Sequence, residues 1–189
     1  MFQNDDSDMK IAGEKIDIKS ADRTQDESDS IELQIENGNI IRARRLGSAV
    51  VSVIQSETDK LGEGGIIASL DMKDTMLIQY RMLMIFTVVS TIEQHSPNKH
   101  IMRTALNTFY DILKREDPEI YDYMSASGAS SFYYLAIRRG GDCAANVGKS
   151  FAMLCEREDD GQFIAAGSEI YSHYRRRTLE MIEGNKFVV

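Results

Sequence analysis

Met82-Leu-Met-Ile-Phe-Thr-Val-Val-Ser-Thr-Ile92 decides the fold, because eleven nearly unbroken apolar and small residues sit between Arg81 and Glu93. A membrane span needs about 20 such residues, so this one reads as the middle of a buried helix. Upstream, Met76, Leu77 and Tyr80 continue the face of Leu83, Met84, Val88 and Ile92. Ile78, Met82, Ile85, Phe86 and Val89 widen it until the helix is apolar nearly all round. A helix of that kind is stable only when neighbours cover every side. The spacing therefore predicts a central helix from a cap at Asp71 to about Gln94, surrounded by others.

The surrounding helices are read outward from it. Ser96-Pro97-Asn98 breaks the chain, and Asn98 caps a helix with the stripe Ile101, Met102, Ala105, Leu106, Phe109, Ile112 and Leu113. Asp117-Pro118, a capping side chain followed by proline at the first helical position, starts the next, through Ile120, Tyr121 and Met124. Ser125–Ser131 interrupts it with a kink or a short loop before Phe132–Arg139. Gly140-Gly141-Asp142 closes that helix and caps Cys143–Glu158, and Asp159-Asp160-Gly161 turns into a last helix, Gln162–Glu183. There Ala165, Ala166 and Gly167 leave room for a close neighbour. On the N-terminal side Leu46, Val50, Val53, Ile54 and Leu61 form one more helix, ended by Gly62-Glu-Gly-Gly65.

Two segments read differently. Ile31, Leu33 and Ile35 alternate with polar residues before Asn37-Gly38, a pair whose tolerance of positive φ favours a two-residue hairpin turn. Residues 31–44 thus read as a short β-hairpin docked on the helices, or as a helix start or ordered loop. Residues 1–30 carry nine acidic side chains against four basic ones, a net charge of −5 within a chain total of −8. With few large apolar groups they read as a flexible acidic tail, in which Ile16-Asp-Ile18 is strand-like. The expected fold is mainly α: a compact antiparallel bundle or array of five to six helices spanning residues 31–189, with the N-terminal hairpin attached.

Composition narrows function. A net negative chain repels phosphate backbones, so nucleic acid is not an expected partner, nor is a membrane. Two cysteines and no recognisable signal peptide point to a reducing cytoplasm. Gly148-Lys149-Ser150 resembles the end of a phosphate-binding loop, but that motif requires glycine where Cys143 stands, with a strand before it. His95, His100, His173, Cys143 and Cys155 have no metal-ligand spacing, so no metal or cofactor is expected. Cys143, in the first turn of a helix, has a dipole favouring its thiolate and Asp142 opposing it, and is read as a packing residue. Glu156, Asp159 and Asp160 read as a solvated helix end, and the serines around Gly128 lack the Gly-x-Ser-x-Gly nucleophile turn.

What remains is an interaction protein rather than an enzyme. Tyrosine and methionine adapt well to partners, and Tyr121, Tyr123, Tyr133 and Tyr134 crowd one region. Arg175-Arg176-Arg177 forms a basic group on the last helix. The candidate binding residues are Tyr121, Tyr123, Tyr133, Tyr134, Arg175 and Arg176. The expected function is binding a protein partner or self-association, the alternative being a small-molecule pocket near the tyrosines around Gly128.

Overall fold

The computed structural model describes residues 30–59, 67 and 70–188. The acidic tail, the Ile16–Ile18 strand and the Gly62–Gly65 helix stop lie outside the described residues. Among the described residues the structure is helical with no strand. The helices are α1 (30–36), α2 (Asn39–Asp59), α3 (Asp74–His95), α4 (Lys99–Glu116), α5 (Pro118–Ala126), α6 (Ala129–Arg138), α7 (Cys143–Leu154) and α8 (Gly161–Gly184).

The central helix is where its sequence puts it. α3 packs on α2, α4, α5, α6, α7 and α8, and Met82, Leu83, Met84, Ile85, Phe86, Val88 and Ile92 are all buried. By length and composition alone α3 could cross a membrane; here it is wrapped by helices. Its buried threonines are satisfied locally: the Thr87 hydroxyl donates to Leu83 O at 2.7 Å, and Thr91 to Thr87 O at 2.6 Å. The Tyr80 hydroxyl meets that of Tyr174 on α8 at 3.1 Å. The expected cap at Asp71 is corrected, because the N-cap position is Lys73 and no side chain caps there.

Most other helix starts follow their local chemistry. Asn98 accepts from Ile101 N at 3.0 Å, Asp117 from Ile120 N at 3.2 Å, Asp142 from Ala145 N at 3.1 Å and Asp160 from Gln162 N at 2.9 Å. Each satisfies an amide that the first helical turn leaves without a partner. The Ser125–Ser131 interruption is a break at Ser127–Gly128, with Gly128 at φ 64°. α7 stops at Leu154, short of the expected Glu158, where the chain turns through Glu156 at φ 56°.

The hairpin is absent. Asn37 N donates to Leu33 O and Gly38 N to Ile35 O, so the chain leaves α1 through a helix-ending turn with Gly38 at φ 74°. Asn37 Oδ1 then accepts from Asn39 N at 3.1 Å as α2 begins. Positive φ, which suits a hairpin turn, equally suits a left-handed helix stop. The alternation misleads as well: Ile31, Leu33 and Ile35 are exposed while Gln34 is buried. What fixes this junction is Asn39, fully buried. Its Nδ2 donates to Gln34 Oε1 and to Val188 O, both at 2.7 Å, and its Oδ1 accepts from Val188 N at 2.9 Å.

Two helix pairs flank α3, and each crosses on glycine. A Cβ at Gly47 of α2 would lie 2.3 Å from Ala105 O of α4. A Cβ at Gly148 of α7 would lie 2.3 Å from Ile164 O of α8, and one at Gly167 of α8 would lie 2.9 Å from Gly148 Cα. The phosphate-loop resemblance ends here: Gly148 and Ser150 are buried within α7, where glycine lets α8 approach.

Candidate functional site

A cavity of about 920 Å³ is a groove where the end of α3 meets α6, the start of α7 and the middle of α8. It brings together three of the six residues expected to bind, Tyr134, Arg175 and Arg176, with Arg138, Glu93, Asp142 and Cys143. Helix geometry explains the convergence. Arg138 ends α6, the Gly140-Gly141 turn folds the chain back with both glycines at positive φ, and α7 begins against the α8 face bearing Tyr171, Ser172, Arg175 and Arg176.

The charges in this groove are unequally engaged. Glu93 accepts a 2.5 Å hydrogen bond from the Tyr134 hydroxyl, and Asp142 caps α7. The Glu93 bond, aided by partial burial, pushes the Tyr134 hydroxyl up to about 12. Burial also raises Tyr171, with Arg175 beside it pulling partly the other way. The three arginines form no ion pair among the described residues. Arg175 meets the His95 ring nitrogen at 3.3 Å and the Tyr171 hydroxyl beside it. The groove thus has its carboxylates occupied and its guanidiniums available, an arrangement suited to accepting carboxylate or phosphate oxygens. Ile137 of α6 and Leu179 of α8 add apolar surface to its lining.

The other expected residues fall elsewhere. Tyr121 lies under the Lys114 ammonium, 5.7 Å from its ring centroid. Tyr133 is wholly buried, packs on Phe86 at 5.2 Å between centroids, and its hydroxyl has no partner among the described residues. Burial pushes that hydroxyl well above the ordinary tyrosine range. Tyr123 lines a separate cavity of about 420 Å³ with Met76, Ile78, Gln79, Leu154 and Cys155, and accepts from Gln79 Nε2 at 2.8 Å. In this cavity burial pushes the Cys155 thiol up to about 12.

Arg138 and Glu93 were not singled out from the sequence. Arg138 had a local signal: it ends a helix just before a double-glycine turn and a capped helix start, so the fold returns past it. Glu93 had none beyond its place at the end of the central helix.

Cys143 is half-buried at the groove wall and its thiol donates to Ile137 O at 3.8 Å. Glu156, Asp159 and Asp160 line a further cavity with Arg157 and Glu158. No cluster of three potential metal-ligating residues exists among the described residues. Comparison with family models, curated proteins and solved structures found no match to this chain.

Proposed function

We propose that this chain is a non-enzymatic helical interaction protein that receives an acidic segment of a partner protein in the groove between α3, α6, α7 and α8. The observation that carries this reading is the convergence of Arg138, Arg175 and Arg176 on one concavity whose own carboxylates are already hydrogen-bonded. Guanidiniums in a concave site offer forked donors to carboxylates, and the cavity walls strengthen their field. Ile137 and Leu179 of the same lining would hold an apolar side chain flanking the acidic one. Several cations converging on one concave face suit recognition of an anionic segment.

The test is anisotropy titration of fluorescein-labelled oligoglutamate at about 50 mM NaCl, where exposed charges interact over more than 10 Å. Saturable binding is expected, weakened at least about tenfold by Arg175→Glu with Arg176→Glu and lost as salt rises. Equal binding by the wild-type and doubly substituted chains would overturn the reading.

A second reading has one observation in its favour: the cavity beside Tyr123 has the volume of a small-molecule site and mostly apolar walls. Indole, an apolar ring with one N–H donor, is the appropriate test ligand. Indole-induced shifts confined to the Gln79 and Tyr123 NMR signals would support it, and unchanged spectra at millimolar indole would count against it.

A further inference from the structure

We infer that residues 1–29 of this same chain occupy the arginine groove when no partner is present, which rests on the reading of the groove given above. The segment has the complementary charge: Asp5, Asp6, Asp8, Glu14, Asp17, Asp22, Asp26, Glu27 and Asp29 outnumber Lys10, Lys15, Lys19 and Arg23. Three of its acids fall in the last four residues before α1.

Placement brings it to the groove. Gln34 of α1 accepts from Asn98 Nδ2 at 3.2 Å, and Asn98 follows closely on His95, whose ring meets Arg175. α1 therefore stands beside the end of α3 that forms one groove wall. A stretch of 29 residues reaches at most roughly 100 Å, so distance does not limit the contact.

Four arginines elsewhere are already engaged. Arg42 donates to Asn37 O and Asn39 Oδ1, Arg45 to Asn185 Oδ1, and Arg81 and Arg177 are paired with Asp117 and Glu57. The groove is where several guanidiniums without carboxylate partners among the described residues face one cavity.

A tethered occupant competes at an effective concentration on the order of 1 mM. If it binds with a Kd near 0.1 mM, it weakens an outside ligand about tenfold. The consequence is a site that discriminates against weak acidic ligands and opens to a partner that outcompetes the chain's own acids.

The experiment keeps the full chain and replaces the nine acids of residues 1–29 with Asn or Gln. The neutralised chain should bind labelled oligoglutamate about tenfold more tightly than wild type at low salt, and the Arg175→Glu, Arg176→Glu pair should abolish that gain. The Nε–Hε signals of Arg138, Arg175 and Arg176 should also differ between the wild-type and neutralised chains without added ligand. Equal affinity and unchanged arginine signals would overturn the inference while leaving the groove reading intact. A gain that survives the arginine substitutions would place the segment elsewhere and also overturn it. Failure of both chains to bind would overturn the groove reading and the inference with it.

Discussion

The two flanks of α3 are built alike and used differently. On one side α2 crosses α4 at Gly47; on the other α7 crosses α8 at Gly148 and Gly167, and in both pairs glycine replaces a side chain that the neighbour's backbone would reject. The difference lies in what the arginines do. On the α2 flank Arg42 and Arg45 bond to carbonyl and amide oxygens that close the α1–α2 junction and the chain's end. On the α7–α8 flank Arg138, Arg175 and Arg176 surround a groove and have no carboxylate partner among the described residues. The same residue type is structural where oxygen acceptors engage it, and where it has no carboxylate partner among the described residues we propose that it receives one from outside.

The strongest way to break this comparison is to fill the crossings. Gly148→Ala should destabilise the chain by about 3 kcal/mol and Gly47→Ala by about 2 kcal/mol in urea unfolding. Overpacking of 1–3 kcal/mol sets the scale, and a Cβ at Gly148 would lie 2.3 Å from both Ile164 O and Ser168 Oγ. The better helix propensity of alanine offsets up to about 1 kcal/mol, so a stabilised Gly148→Ala variant would disprove the close crossing.

Asn39→Ala comes next, at about 2 kcal/mol, because it removes the 2.7 Å bond to buried Gln34 and takes from the Val188 backbone the side chain that both its N–H and its carbonyl meet. Of the arginines, Arg45→Ala should cost up to about 1 kcal/mol and leave oligoglutamate binding unchanged, the reverse of the groove substitutions. A binding loss in Arg45→Ala would dissolve the distinction between the flanks.

The smallest effect concerns Tyr133, whose buried hydroxyl lacks a partner among the described residues. Tyr133→Phe should leave stability unchanged or raise it by about 1 kcal/mol, since it removes an unsatisfied polar group while keeping the ring. Alkaline titration adds a check with a definite sign. A folded-state Tyr134 pKa near 12 lies above the ordinary tyrosine value of about 10. Its contribution is therefore complete below pH 10 and is lost as pH rises toward 12. Tyr134→Phe should flatten that part of the stability profile.

How much was legible depends on how local the deciding chemistry is. Asn98, Asp117, Asp142 and Asp160 announced their helices because a cap is a contact between residues two or three apart. Asn37-Gly38 misled because positive φ serves two turns, and the choice was made by Asn39 meeting Val188 across 149 positions. Lys73 starts α3 without a capping side chain, so burial rather than a cap sets that boundary. In the groove, the arginine group on α8 was legible as a charge run and Tyr134 as part of an aromatic cluster. Their meeting with Arg138 and Glu93 depends on how α6 and α8 pack, which no short stretch specifies. Tyr133 shows the converse: adjacent to Tyr134 in sequence, it turns a helical step into the core.

The clasp between Asn39 and Val188 also sets a clock. During synthesis α2 is complete long before Val188 exists, and at about 5–20 residues per second the ribosome needs roughly 7–30 s to make the intervening 149. Until then Asn39 has an amide with no backbone to read. The α1–α2 junction therefore closes only after Val188 has been made and has returned to helices completed well before it.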